Sequence, residues 1–158
     1  MITQETNFPL QYRELGTAEL LFEGKDLLFI SLGHMNQVAL QIKEKLEQDD
    51  IHPTILDPVF VKPLDASLLL KLISSHKYVV TLEEHSLHGG LGSAIQKFIQ
   101  ENNLSPERVL HFGVPDAFFE QGSYKDISLE AGLTAEQIYK NLILELSLVS
   151  IPQLIGSL

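Results

Sequence analysis

Two adjacent carboxylates, a pair of histidines and a run of glycines fall within thirteen residues, Thr81 to Ser93, TLEEHSLHGGLGS. Glu83 and Glu84 follow a β-branched apolar run, Tyr78-Val79-Val80-Thr81-Leu82, and His85 and His88 lie in the polar turn after them. Gly89-Gly90-Leu91-Gly92 then leads into a helix-patterned segment. Carboxylates can exchange protons, histidines can bind metals, and glycine amides at a helix start can cradle a phosphate. Each reading meets an obstacle in the spacing. Adjacent residues of a strand point to opposite faces, so Glu83 and Glu84 cannot face each other as an acid/base pair unless the strand has ended. His85-x-x-His88 beside Glu84 lacks third and fourth ligands. The glycines match neither G-x-G-x-x-G nor G-x-x-x-x-G-K-[ST], and two glutamates beside them would repel an anion. Tight turning and close helix packing account for these glycines better. For the carboxylates, hydrogen bonding to amides of the glycine turn or to an adjoining domain fits best. Ser86 and Ser93 stand near histidines without a nucleophile-elbow pattern. His34, which follows Gly33 at the end of another apolar run, belongs to the same edge, and a polar residue at a helix start explains it.

Such an edge needs a scaffold, and the flanking elements supply an alternating one. Thr17 to Phe22 suits a first short strand, and Leu27 to Leu32 is a near-continuous apolar run fit for a strand covered on both faces. Met35, Val38, Ala39, Ile42 and Leu46 recur at helical spacing, with Asp49 and Asp50 beyond the helix end. Ile51 to Leu56 reads as a strand, Asp65 as the N-cap of a helix over Ala66 to Ser75, and Lys77 to Leu82 as the next strand. Leu91, Ala94, Ile95, Phe98 and Ile99 form an apolar helical stripe, and Val109 to Phe112 a last strand. Ser123 is placed to cap a short helix before Gly132, and Thr134 with Gln137 makes a capping box for a final helix. Strand–helix alternation predicts a three-layer α/β/α fold with a mostly parallel sheet of about five strands, joined by right-handed crossovers. The carboxyl ends of such strands are where ligands and neighbouring domains meet the fold.

Composition narrows the classes of partner. The 158 residues carry 11 Lys and Arg against 21 Asp and Glu, a net charge of −10, which argues against a nucleic-acid partner. No apolar run approaches the ~20 residues of a membrane span. The N-terminus lacks a signal-peptide pattern and cysteine is absent, so a cytoplasmic setting without membrane attachment is expected. Residues 1–16 read as a lead-in or linker remnant, 17–148 as one domain, and 149–158 as an uncharged apolar tail that docks on something.

Four segments carry a resemblance: LDPVFVKPLD, VVTLEEHSLHGGLGSA, FGVPDAFFEQGS and EAGLTAEQIYKNL. Their order and content resemble the C-terminal domain of the transketolase family. The F-V-K-P-L-D turn at Phe60 to Asp65 and the G-x-P-D-x-F element at Gly113 to Phe118 fit the 1-deoxy-D-xylulose-5-phosphate synthases best. Transketolases and 2-oxo acid dehydrogenase β subunits share the domain and remain alternatives, as does a stand-alone interaction or regulatory module of this fold. The resemblance implies an enzyme that holds thiamine diphosphate and Mg²⁺ between two other domains, with this third domain completing a homodimer and bracing them. The Gly-Asp-Gly motif of the pyrophosphate-binding domain is absent. The chain by itself is therefore expected to bind no cofactor and to be inactive, with no catalytic or metal residue. His34, Glu83, Glu84, His85, Gly89, Gly90 and Gly92 are the candidates for contacts at a domain or dimer interface.

Overall fold

A computed structural model of the chain describes residues 13–119 and 121–147. The apolar tail at 149–158 and most of the lead-in at 1–16 lie outside the described residues. Five strands and five helices follow in the order β1 (Glu19–Phe22), β2 (Leu28–Ser31), α1 (Met35–Gln48), β3 (Thr54–Asp57), α2 (Ala66–Ser75), β4 (Tyr78–Ser86), α3 (Leu91–Glu101), β5 (Arg108–Val114), α4 (Tyr124–Glu130) and α5 (Ala135–Ser147). The sheet order is β1-β3-β2-β4-β5; β1 pairs antiparallel with β3, and the other pairings are parallel.

Burial on both faces makes the central strands apolar throughout, and alternation divides their side chains between two cores. Leu27 and Phe29 of the β2 run, with Val80 and Leu82 of β4, pack on one side against Met35, Ile42 and Leu46 of α1 and Ile138, Leu142 and Leu146 of α5. Leu28, Ile30 and Val79 point the other way, against Leu69 and Ile73 of α2 and Leu91, Ile95 and Phe98 of α3. From the central β2–β4 pair the chain leaves in opposite lateral directions. β2 leads through α1 to β3 on one side, and β4 leads through α3 to β5 on the other. Right-handed crossovers in opposite directions place their helices on opposite faces, which is the division observed. The reversal leaves a topological switch point between the carboxyl ends of β2 and β4.

Caps fall where short polar side chains precede apolar stripes. Asp65 accepts the Leu68 amide at 3.1 Å and starts α2, and Ser123 makes a reciprocal capping box with Asp126. Thr134 Oγ1 accepts the Gln137 amide at 3.3 Å, while Gln137 reaches back to the Thr134 amide and hydroxyl.

Strand boundaries differ from the sequence reading by one or two residues in β1 and β2, and by more in β3, β4 and β5. β3 begins at Thr54, not Ile51, because Ile51 donates to Leu46 in the exit of α1 and Pro53 has no N–H for the ladder. β4 continues past Leu82 to Ser86: its pairing with β5 shifts register after Leu82 and resumes at Ser86 opposite Val114. β5 correspondingly spans Arg108–Val114, longer than Val109 to Phe112. Both carboxylates thus lie within β4.

Candidate functional site: the carboxyl edge of the sheet

Because β4 remains extended through Glu83 and Glu84, alternation continues through them. Residues 79, 81 and 83 face α3, while 80, 82 and 84 face the α1 and α4 side. Glu83 is 1% exposed. A carboxylate that deeply buried is retained only if hydrogen bonds replace its water. Its Oε2 accepts the Leu91 amide at 2.7 Å and its Oε1 the Gly92 amide at 2.8 Å, so it caps α3 from another element. Negative charge at a helix N-terminus also meets the positive end of the helix dipole. Among the described residues Glu83 forms no ion pair.

The glycines make this clamp fit. Gly89 turns with φ +83, a conformation that favours glycine, and its amide donates to Ser93 Oγ at 3.0 Å. Ser93 in turn donates to the Leu87 carbonyl at 3.0 Å, which closes the loop. Gly90 has no room for a Cβ, which would overlap the Glu83 carboxylate. At Gly92 a Cβ would lie 2.9 Å from Nδ1 of His111. His111 shares a 2.7 Å hydrogen bond with the Thr81 hydroxyl, and its ring is half-buried. Burial lowers its pKa below the usual histidine value, while the Glu83 charge pulls it back up.

Glu84 meets a different environment on the opposite face. Its Oε2 stands 3.4 Å from Nδ1 of His34, which occupies the N-cap position of α1 without making a side-chain cap. The Tyr124 phenol is held above its usual pKa, first by the Glu84 carboxylate close to it and then by burial. Its ring lies 5.9 Å from that of His34. Sequence reading placed His34 and Glu84 on one edge and missed Tyr124, although its position directly after the Ser123 cap fixes it at the foot of α4 on this edge.

The remaining candidates do not assemble into a reactive group. His85 is exposed, with Nδ1 3.1 Å from the Ser86 carbonyl, and neither the Ser86 nor the Ser93 hydroxyl is hydrogen-bonded to a histidine side chain among the described residues. Among the described residues no group of three or more His, Asp or Glu could hold a metal ion. No helix of the described residues is long and apolar enough to cross a membrane. A phosphate placed on the glycine turn would need the amides of Leu91 and Gly92, and Glu83 already occupies both. The turn therefore does not fit the pyrophosphate of thiamine diphosphate: it is a helix N-terminus with its own built-in anion.

Comparison with known proteins bears on the family and the fold. The family described as "Transketolase, C-terminal domain" matches residues 16–138. The 1-deoxy-D-xylulose-5-phosphate synthase of Chlamydia muridarum is 48% identical over 123 residues, covering 78% of this chain and 19% of that protein. The protein of the same name from Chlamydia trachomatis serovar L2 is 44% identical over 138 residues, covering 87% of this chain and 21% of that one. The chain thus spans about a fifth of the length of these curated relatives. A solved structure entitled "Split gene transketolase, inactive beta4 tetramer" superposes with a TM-score of 0.74 at 36% identity, over 81% of this chain and 41% of that chain. The transketolase of Campylobacter jejuni shares the fold, with a TM-score of 0.56 at 19% identity over 82% of this chain and 18% of that one.

Proposed function

The chain belongs to the family of transketolase C-terminal domains, and from that premise we propose that it is the third domain of a thiamine-diphosphate-dependent transferase of the 1-deoxy-D-xylulose-5-phosphate synthase kind. Such an enzyme joins pyruvate to glyceraldehyde 3-phosphate with loss of carbon dioxide. The observation that carries this reading is the 44% and 48% identity to two proteins of that name, extending across most of the chain.

In this role the domain supports chemistry carried elsewhere in a homodimeric enzyme, in the cytoplasm. The cofactor and Mg²⁺ bind to the other domains, and the carboxyl edge of the sheet faces them. His34, Glu84, His85 and Gly89 are exposed there and available for contact. Glu83, Gly90 and Gly92 serve the same edge from within, by fixing the turn that shapes it. A second reading, that the chain is a separately encoded subunit of a split enzyme, is favoured by its likeness to the split gene transketolase.

A domain exchange tests the proposal. Residues 16–138 would replace the matching segment of the Chlamydia muridarum synthase, with cofactor binding, oligomeric state and product formation measured. The expected chimera is a dimer that binds thiamine diphosphate and retains activity within about tenfold, ~1.4 kcal/mol of barrier. A dimeric, cofactor-loaded chimera without activity would overturn the synthase assignment. The chain alone, titrated calorimetrically with thiamine diphosphate and Mg²⁺, should give no binding heat, and micromolar affinity would contradict the supporting role.

A further inference from the structure

Beside the β2–β4 switch point, on the face opposite the glycine clamp, lies a cavity of about 280 Å³. Among the described residues its apolar lining comes from Val114 at the end of β5, Ile127 and Ala131 around α4, and Leu133. Polar side chains line it as well: His34 after β2, Glu84 on β4, and Tyr124 and Ser128 of α4. An apolar lining with a few polar groups, at the carboxyl ends of parallel strands and next to their topological switch, is the usual form of a small-molecule site.

We propose that this cavity binds a small organic cation, an amine or amidine on a compact apolar body, with Glu84 as its counter-ion. This inference does not depend on the transferase reading.

The charge of the occupant follows from how the two carboxylates differ. Glu83 spends both oxygens on backbone amides, whereas no backbone amide among the described residues donates to Glu84, whose nearest charged neighbour is a histidine at 3.4 Å. A carboxylate offers about four lone-pair positions. Charge-assisted bonds between nitrogen and carboxylate oxygen run to about 2.7–2.9 Å, so the His34 contact is long. Neither Lys nor Arg is among the described lining residues, and the chain carries a net charge of −10. An anion entering the cavity would meet Glu84 and that surrounding field. An N–H-bearing cation would complete the carboxylate's hydrogen bonding while its body displaces water from Val114, Ile127, Ala131 and Leu133. The tilted rings of His34 and Tyr124 favour a flat body. At this volume the site takes a ligand of about one ring, near the lower limit of ligand pockets.

Benzamidine, benzamide and benzoate share one ring and differ in charge, so ligand-observed NMR titration of the intact chain with the three decides the matter. Benzamidine should bind saturably, benzamide more weakly and benzoate not at all. Glu84→Gln should weaken benzamidine by about tenfold or more, the loss expected when a hydrogen bond to a charged group is removed. Ala131→Leu, which fills the cavity without touching its charge, should abolish the binding. Absence of saturable benzamidine binding would overturn the proposal, as would equal binding of benzoate or affinity unaltered by either substitution. Should Glu84→Gln fail to fold, the comparison of the three probes on the unmodified chain decides alone.

Discussion

A buried carboxylate needs partners, and at Glu83 they are two backbone amides whose positions depend on the absence of side chains at Gly90 and Gly92. The two glycines differ in what an added methyl group meets. A Cβ at Gly90 overlaps the carboxylate itself and must break at least one amide bond to a buried charge, worth about 1.5–3 kcal/mol. The gain from a stiffer unfolded chain, about 0.4–1 kcal/mol, does not offset that. At Gly92 the obstacle is the His111 ring, which can turn aside with loss of its Thr81 bond, about 1 kcal/mol. Alanine recovers about the same amount as a helix former. Gly90→Ala should therefore lower stability by about 2 kcal/mol, and Gly92→Ala by less than about 1. Urea midpoints at unchanged slope measure both, and equal losses would contradict the clamp. The opposed directions of the two glutamates were legible in sequence because strand alternation alone sets them. The Thr81–His111 pair was not, since it depends on the register of β4 against β5, thirty positions apart.

At the scale of elements, the three helix starts read from a capping side chain were found, because such a cap is written within four residues: Asp65 before α2, Ser123 before α4, Thr134 before α5. Strand ends were less legible. Pro53 delays β3 and the register shift after Leu82 prolongs β4, and both are settled by the neighbouring strand rather than by local pattern. Asp65 joins the two levels, for besides capping α2 it accepts the Ala18 amide at 3.2 Å and so anchors the approach to β1. Partial burial works against its charged form, yet the amides of Leu68 and Ala18 and the Ser67 hydroxyl outweigh it and hold its pKa below the usual 3.8. A lowered folded-state pKa means stability that is fully present above the unfolded value and is lost as pH falls through the folded one. Asp65→Ala should accordingly cost about 1–2 kcal/mol near pH 6. The gap from the unaltered chain should narrow towards pH 3. Denaturation at the two pH values tests this, and a gap that widens in acid would show that Asp65 acts by something other than its charge.

For the whole molecule, surface and charge pull in opposite directions. Phe118 in the β5–α4 loop is fully exposed, and Tyr124 and Leu129 of α4 and Leu144 of α5 are exposed beyond half; α5 buries its opposite face through Ile138, Leu142 and Leu146, whereas α4 fully buries none of its side chains. Large apolar side chains left this exposed mark surface that meets a partner. A chain spanning about a fifth of its curated relatives has such partners at hand in the rest of the enzyme, and in a second copy of itself when studied alone. Each copy carries a net charge of −10, so two copies repel. That repulsion acts across a Debye length of about 10 Å at 0.1 M salt and about 3 Å at 1 M. Apolar attraction is not screened in this way. Self-association of the isolated chain should therefore strengthen as salt is raised, the opposite of what oppositely charged patches would give. Sedimentation equilibrium at about 0.1 M and 1 M salt separates the cases. A larger mass at high salt fits apolar pairing opposed by charge. A monomer at both, even at high protein concentration, would mean that this surface is shaped for the other domains and not for its own copy.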